Sequence, residues 1–481
     1  MLFNSLEFAI FLIVVFLLYW FVFNRERRIR NLFIIAVSYL FYGWWDWRFL
    51  ILIAFTSACS YASGIAIGRA WGRGNRTAAR WITGLNIAVN LGILATFKYY
   101  NFFMTEFAAR FLGGDTEGLL VKLILPVGIS FYTFQALSYS IDVYRRKMEP
   151  TRDATAFFAY IAFFPQLVAG PIERATNLLP QFYTLHRFDY TAAVDGMRRI
   201  LWGLFKKVFV ADLCAENVNR IFAHYQDLSG STLLVGAILF SFQIYGDFSG
   251  YSDIAIGTAR LFGFNLMQNF RVPYFSRDIA EFWRRWHISL NTWFVDYVYI
   301  SLGGSRVGKS KAVRNTFTIF LLSGLWHGAN WTFIAWGGYH ALLFVPMLLT
   351  GTNKRYKGSV VAAGRRRPTS REVGAMALTF CLVMVGWIIF RADTITDAWH
   401  YFLGIFHHFF GRITGVSHSA LNASIIWIVV VLAAEWLQRD KAHALDLSGI
   451  KWAPLRWAIY YGIIAGLFLC RGQETFIYFQ F

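Results

Sequence analysis

The chain has 481 residues, of which 57% are hydrophobic and only 15% charged, with a formal net charge of +19. Soluble proteins carry roughly 25% charged residues, so the composition excludes an ordinary soluble protein and leaves a multi-pass membrane protein. The positive charge does not point to nucleic acid, because Arg and Lys fall in short loops between apolar runs, where the positive-inside rule places them.

A membrane-spanning helix needs about 20 apolar residues. Runs of this kind lie at 6–23, 31–50, 51–68, 81–103, 121–143, 196–214, 231–247, 313–325, 330–350, 374–391, 422–438 and 455–471. The first has no basic stretch before it and no small-residue cleavage site after it, so it reads as a span rather than a removed signal. Segments 153–173 and 275–303 are apolar but broken by Pro165, Pro171, Arg284, Arg285 and Gly303-Gly304. They read as re-entrant or tilted pieces, which protein must cover because open backbone cannot face lipid. Helices sharing one bilayer pack together, so residues 1–481 are expected to form a single all-α integral-membrane domain.

Basic loops at 25–30, 69–80 and 144–147 are separated by pairs of spans and fit the cytoplasmic side. This count puts both termini outside, together with residues 392–422. The strongest basic stretch, 354–371, is expected inside, as a topology anchor or as a site for anionic lipid headgroups. No internal repeat supports the inverted halves of many transporters. Cys59, Cys214, Cys381 and Cys470 are scattered in apolar segments and read as buried thiols.

Position sorts the ten histidines. His186, His224 and His443 lie in loops or amphipathic stretches, and His400, His407, His408 and His418 in the outer segment. No HxxxH or HExxH pattern accompanies His407-His408, so no metal site is expected. His287, His327 and His340 remain near membrane depth. His340 follows His327 by thirteen positions, which on one helix of 3.6 residues per turn separates their faces, and it reads as a core residue.

His327 sits in Leu321-Leu322-Ser323-Gly324-Leu325-Trp326-His327-Gly328-Ala329-Asn330-Trp331. A titratable ring at membrane depth is costly and faces a cavity, a partner or a substrate path, unless it is a satisfied core imidazole. Gly324 and Gly328 leave backbone open to a substrate, Trp326 and Trp331 offer apolar walls, and Ser323 and Asn330 offer hydrogen bonds. His287 closes the cluster Glu281-Phe282-Trp283-Arg284-Arg285-Trp286-His287. Two imidazoles reaching one cavity supply proton transfer for acyl transfer. Asp247, Tyr251 and Asp253, in the apolar stretch 243–257, need partners or water. Either they form an internal ion-pair network, with Arg284 and Arg285 as nearby cations, or a carboxylate orients His287 or His327.

These residues carry a family resemblance. The segments Phe97-Lys98-Tyr99-Tyr100-Asn101-Phe102-Phe103, Leu125-Pro126-Val127-Gly128-Ile129-Ser130-Phe131-Tyr132-Thr133-Phe134-Gln135 and Phe163-Phe164-Pro165-Gln166-Leu167-Val168-Ala169-Gly170-Pro171-Ile172 match it. So do Asp247-Phe248-Ser249-Gly250-Tyr251-Ser252-Asp253, the His287 cluster, Leu325-Trp326-His327-Gly328, and Phe476-Ile477-Tyr478-Phe479-Gln480-Phe481. Running in family order over roughly 97–331 and 476–481, they resemble the bacterial membrane-bound O-acyltransferases (MBOAT), in the alginate O-acetyltransferase-like branch. Val295 stands where that branch often has arginine, and Ser301 where proline is usual before Leu302-Gly303-Gly304.

The resemblance implies helices around a thin central region, with a tunnel from a cytoplasmic acyl donor to the outer face. It makes His327 the principal catalytic histidine and His287 the second. Asp247, Tyr251, Asp253, Trp283, Arg284, Arg285, Trp326 and Asn330 become supporting or tunnel-lining residues, and Tyr478 an acyl relay or an interfacial anchor. The co-substrate would be acyl-CoA, acetyl-CoA foremost, or another thioester, with no bound cofactor. The partners would be membrane lipid, an extracytoplasmic SGNH-hydrolase-like acetyltransferase and a polysaccharide acceptor, at a bacterial inner membrane. His327 would act as general base or take the acyl group covalently, and His287 would position a substrate or polarise the thioester carbonyl. Transfer of D-alanyl or another short acyl group, transport of an acylated or lipid-linked sugar without chemistry, and a non-catalytic assembly subunit are the competing readings.

Overall fold

A computed structural model describes residues 1–108, 120, 121, 123–407 and 409–470, and every regular element among them is helical. His408 and the closing motif with Tyr478 lie outside the described residues. Among the described residues, seven helices are long and apolar enough to cross a membrane: Leu6–Phe23, Trp47–Gly72, Arg76–Glu106, Gly230–Leu261, Trp331–Thr350, Ser370–Arg391 and His418–Leu437. The chain is an all-α, multi-pass membrane protein.

The other expected spans take shorter or less apolar forms. Run 121–143 yields only the helix Ile129–Tyr144, in which every side chain but Ile141 and Tyr144 is buried. A helix buried on all sides is apolar because protein surrounds it. Run 31–50 becomes the helix Arg27–Gly43 and a 3₁₀ turn, Trp47–Phe49, that leads into the next span. Run 196–214 divides into the helix Tyr190–Phe205 and a π-turn, Lys206–Asp212. Runs 313–325 and 455–471 become Lys309–His327 and Ala453–Leu469. Run 231–247, in contrast, belongs to a far longer helix of 32 residues, Gly230–Leu261.

Packing divides the chain into two compact units, the first comprising residues 1–197 and 255–267. Polar side chains clamp its helices. Asn86 donates to the Ser140 hydroxyl at 2.7 Å, and Asn90 donates to the Asn86 side chain at 3.1 Å. The Arg30 guanidinium, fully buried, donates to Asn31 Oδ1 and to the Phe182 and Thr184 carbonyls. Segment 153–173 is broken as expected, into helices Ala154–Ala162 and Phe164–Leu167, with the Ser38 hydroxyl accepting from the Phe164 amide at 3.1 Å.

The second unit comprises residues 198–254 and 268–481. Of its helices, six concern the site: α1 (Gly230–Leu261, its last residues belonging to the first unit), α2 (Ile279–Arg285), α3 (Ile288–Phe294), α4 (Lys309–His327), α5 (Trp331–Thr350) and α6 (Ser370–Arg391). Short α2 and α3, followed by the π-turn Val295–Tyr299, form the expected broken segment. Helix α2 is held by Glu281, whose carboxylate binds Arg277 at 2.9 Å and Arg285 at 2.8 Å.

Candidate functional site

Helices α4 and α5 form a hairpin that turns at residues 328–330, with Asn330 capping α5 by accepting from the Thr332 amide at 3.0 Å. His327 is the last residue of α4, and Trp326, Trp336 and Phe390 surround it edge-to-face at 5.0, 5.2 and 5.2 Å between ring centres. The ring is buried, with 6% exposure.

The glycines beside it do not leave open backbone. A Cβ on Gly324 would collide with the Phe333 carbonyl, and one on Gly328 with the Phe333 ring. Their absent side chains let α5 pack closely on α4, which is what fixes His327 in place. Gly324→Val is therefore expected to cost about 1–3 kcal/mol through overpacking. A lower thermal unfolding midpoint in detergent is the expected reading, and an unchanged midpoint would refute the close contact.

His287 caps α3 in the left-handed region, at φ 43° and ψ 53°, where residues other than glycine are uncommon. It is 2% exposed and packs against Phe248 at 4.6 Å and Trp326 at 5.7 Å. The indole of Trp326 thus touches both imidazoles, although 40 residues (327 − 287) separate them in sequence.

Asn269, which the sequence did not single out, sets the orientation of His287. Its Oδ1 faces His287 Nδ1 at 3.1 Å, and accepts from the Ser289 amide at 3.3 Å and the Ser289 hydroxyl at 2.9 Å. A backbone amide can only donate, so this atom is the oxygen, and the Asn269 nitrogen accordingly donates to the Ser252 hydroxyl at 3.0 Å. An oxygen opposite Nδ1 places the imidazole proton on Nδ1. Nε2, which has no hydrogen-bond partner among the described residues, then carries the lone pair.

Asp247 and Asp253 have other partners than those expected. Asp253 is clamped by Arg199 at 2.8 Å and Lys206 at 2.7 Å. Lys207 bridges Asp247 and Asp212, at 2.7 Å to each. The cations come from the helix–π-turn segment 190–212, not from Arg284 and Arg285. Arg284 donates to the Asn353 carbonyl at 2.8 Å, and Arg285 to Glu281 and the Ser359 carbonyl, both at 2.8 Å. The structure favours the ion-pair network, with Asn269 taking the orienting role offered to the carboxylates at His287. Tyr251 is buried one turn beyond Asp247 on α1.

His340 differs from expectation in its surroundings. Because α4 ends at His327 and His340 lies on α5, the one-helix spacing does not apply, and both rings pack on Trp336, at 5.2 and 5.0 Å. His340 also touches Trp283 at 4.8 Å, and neither of its nitrogens has a hydrogen-bond partner among the described residues. Trp283 therefore belongs to the aromatic packing behind the site. Trp331 is 42% exposed, unlike the buried Trp326. Among the described residues no cluster of His, Cys, Asp or Glu is arranged to hold a metal.

Residues 151–356 match the membrane-bound O-acyltransferase family, MBOAT. A probable alginate O-acetylase of Pseudomonas aeruginosa is 42% identical over 84% of this chain and 75% of its own length. The peptidoglycan O-acetyltransferase of Helicobacter pylori is 30% identical over 94% of this chain and 91% of its own length. A teichoic acid D-alanyltransferase of Bacillus subtilis is 28% identical over 56% of this chain and 69% of its own. With relatives matched over most of both lengths and two buried histidines gathered at one indole, the chain belongs to the membrane-bound O-acyltransferase family and is a multi-pass membrane O-acyltransferase.

Proposed function

We propose that the protein moves an acetyl group from a cytoplasmic thioester, acetyl-CoA foremost, across a bacterial inner membrane for O-acetylation of an extracytoplasmic polysaccharide. The observation that carries this reading is the pair of buried imidazoles sharing Trp326. Relatives named for O-acetylation match more of the chain at higher identity than the D-alanyltransferase does, which favours acetyl over D-alanyl. An SGNH-hydrolase-like partner outside the membrane would complete delivery to the polymer.

In the direct route the acceptor hydroxyl attacks the thioester carbonyl and forms a C–O bond while His327 takes its proton. Collapse breaks the C–S bond, and the proton passes to the leaving thiolate. In the covalent route His327 attacks first, releasing the thiol and holding the acyl group on nitrogen. His287 Nε2 then takes the proton of the incoming hydroxyl as its oxygen bonds the acyl carbon; collapse breaks the C–N bond, and the proton returns to the His327 nitrogen as it leaves. With its Nδ1 proton donated to Asn269 Oδ1, neutral His287 has only the acceptor Nε2 left to offer, so it does not polarise the carbonyl. Asn269→Ala removes the hydrogen bond that selects this tautomer, worth about 1 kcal/mol. Turnover per folded protein should fall about fivefold to tenfold, and unchanged turnover would remove Asn269 from the mechanism.

Both termini lie outside in this reading, and Tyr478 helps hand over the acyl group. Tyr478→Phe is expected to lower polymer acylation while thioester consumption continues; full polymer acylation would leave Tyr478 an anchor. Label transfer from acetyl-CoA in proteoliposomes, with the partner and acceptor outside, tests the function. Label on the acceptor supports it, whereas export of an intact acylated sugar with no thioester consumed would favour a transporter.

A further inference from the structure

The basic stretch 354–371 joins the ends of α5 and α6 that lie away from the hairpin turn at 328–330. In it Lys354, Arg355, Lys357, Arg366, Arg367 and Arg371 are exposed, and their side chains make no hydrogen bond or ion pair among the described residues. Arg365 pairs with Glu372 at 3.0 Å. The positive-inside rule asks only for the charges, which a loop of any shape carries.

This loop has a definite shape, because its main chain is pinned from two sides. From α2, Arg284 donates to the Asn353 carbonyl and Arg285 to the Ser359 carbonyl, both at 2.8 Å. Arg277, just before α2, donates to the Ser359 hydroxyl at 2.7 Å and lies 3.9 Å over the Tyr356 ring. From the span His418–Leu437, the Trp436 indole donates to the Arg366 carbonyl at 3.1 Å. Arg439, just past that span, donates to the Val361 and Ala362 carbonyls, both at 3.0 Å. Ala362 is buried and sits at φ 49°, a left-handed backbone that alanine rarely adopts.

The pinning keeps six like charges together on a fixed backbone, where they repel one another unless an anion lies between them. Leu349 on α5, Val373 on α6 and Leu437 on the third span are exposed at the same ends. Apolar surface left open on a span faces lipid, so the cations stand at the level of phospholipid headgroups. The bonds from Arg284 and Arg285 also tie the loop to α2, which leads through Trp286 into His287. We propose that residues 354–371 form a binding surface for anionic phospholipid headgroups, and that its occupancy holds α2, and with it His287, in place. The coupling to His287 rests on the acyl-transfer reading above; the lipid surface does not.

Native mass spectrometry of the full chain in detergent, titrated with phosphatidylglycerol or phosphatidylcholine, reads retention without turnover. Phosphatidylglycerol should be retained in preference. Each surface cation adds about fivefold to association with an anionic membrane, so Lys354→Gln, Arg366→Gln and Arg367→Gln together should weaken retention about a hundredfold. Arg73→Gln, Arg76→Gln and Arg80→Gln together remove as many exposed cations from the basic loop 69–80 and should leave it unchanged. Equal retention of the two lipids, equal losses in the two triple variants, or release of the lipid by free coenzyme A, which would give the cations to phosphates of the donor, overturns the site. Turnover in vesicles is the second reading. Phosphatidylglycerol mixed into phosphatidylcholine should raise it several-fold in the unmutated protein and leave the loop variant unchanged. Turnover indifferent to phosphatidylglycerol, with retention intact, overturns the coupling to His287. No acyl transfer in any vesicle, with retention intact, would sink the function above and leave the lipid surface standing.

Discussion

His327→Ala is expected to abolish acyl transfer, by at least about 100-fold and up to about 10,000-fold for a lost general base, while membrane insertion and protein level hold. The ring ends α4 against Trp326, Trp336 and Phe390, so removing it empties space among rings that the α4–α5 hairpin still positions. A covalent route makes the loss complete, because the acyl group has no nitrogen to rest on. His327→Phe separates packing from chemistry. It refills the aromatic cage without a proton acceptor, so it should restore the unfolding midpoint and leave turnover absent. Turnover near the parent level in either variant would make His327 a packing residue.

His287→Ala is expected to lower turnover by about 100-fold or more, the effect of a lost proton acceptor. Its backbone raises a second explanation, since φ 43° suits glycine better than alanine. His287→Gly relieves that conformation and still removes Nε2. Equal losses in the alanine and glycine variants are the expected result. Activity recovered in the glycine variant alone would mean that His287 serves the turn before α3 and not the reaction.

The sequence made the site legible where a costly residue stood in an apolar run. His287 and His327 stand out in this way, and the structure buries both against Trp326; the broken segment that carries His287 is visible in its arginines and glycines. Asn269 was not legible, because it lies 18 residues before His287 in an irregular stretch whose geometry no periodicity reports. The sequence offers Arg284 and Arg285 as cations for Asp247 and Asp253, whereas the structure supplies Arg199, Lys206 and Lys207. Lys206-Lys207 was the available signal: two adjacent lysines within run 196–214 need buried carboxylates as much as the aspartates need cations.

The same pairing explains why α1 was read as too short. Gly246, Asp247, Gly250 and Asp253 resemble helix breakers in sequence. In the structure the glycines let the backbone near residues 203–211 approach, and the aspartates are neutralised, so the helix continues for 32 residues. Gly324 and Gly328 were legible as sites of close approach, but sequence could not say that α5 rather than a substrate approaches them. Spacing misled for His340 because counting residues assumes one continuous helix, and the chain reverses between His327 and His340.

The most direct test of the account is a single-turnover reaction of the purified protein in proteoliposomes with acetyl-labelled CoA, stopped before and after adding the hydroxyl acceptor and partner. The account predicts that thioester is consumed and label reaches the acceptor oxygen with the unmutated protein, and that neither occurs with His327→Ala. Acceptor labelled equally by the His327→Ala protein, or no thioester consumed by the unmutated one, would contradict it.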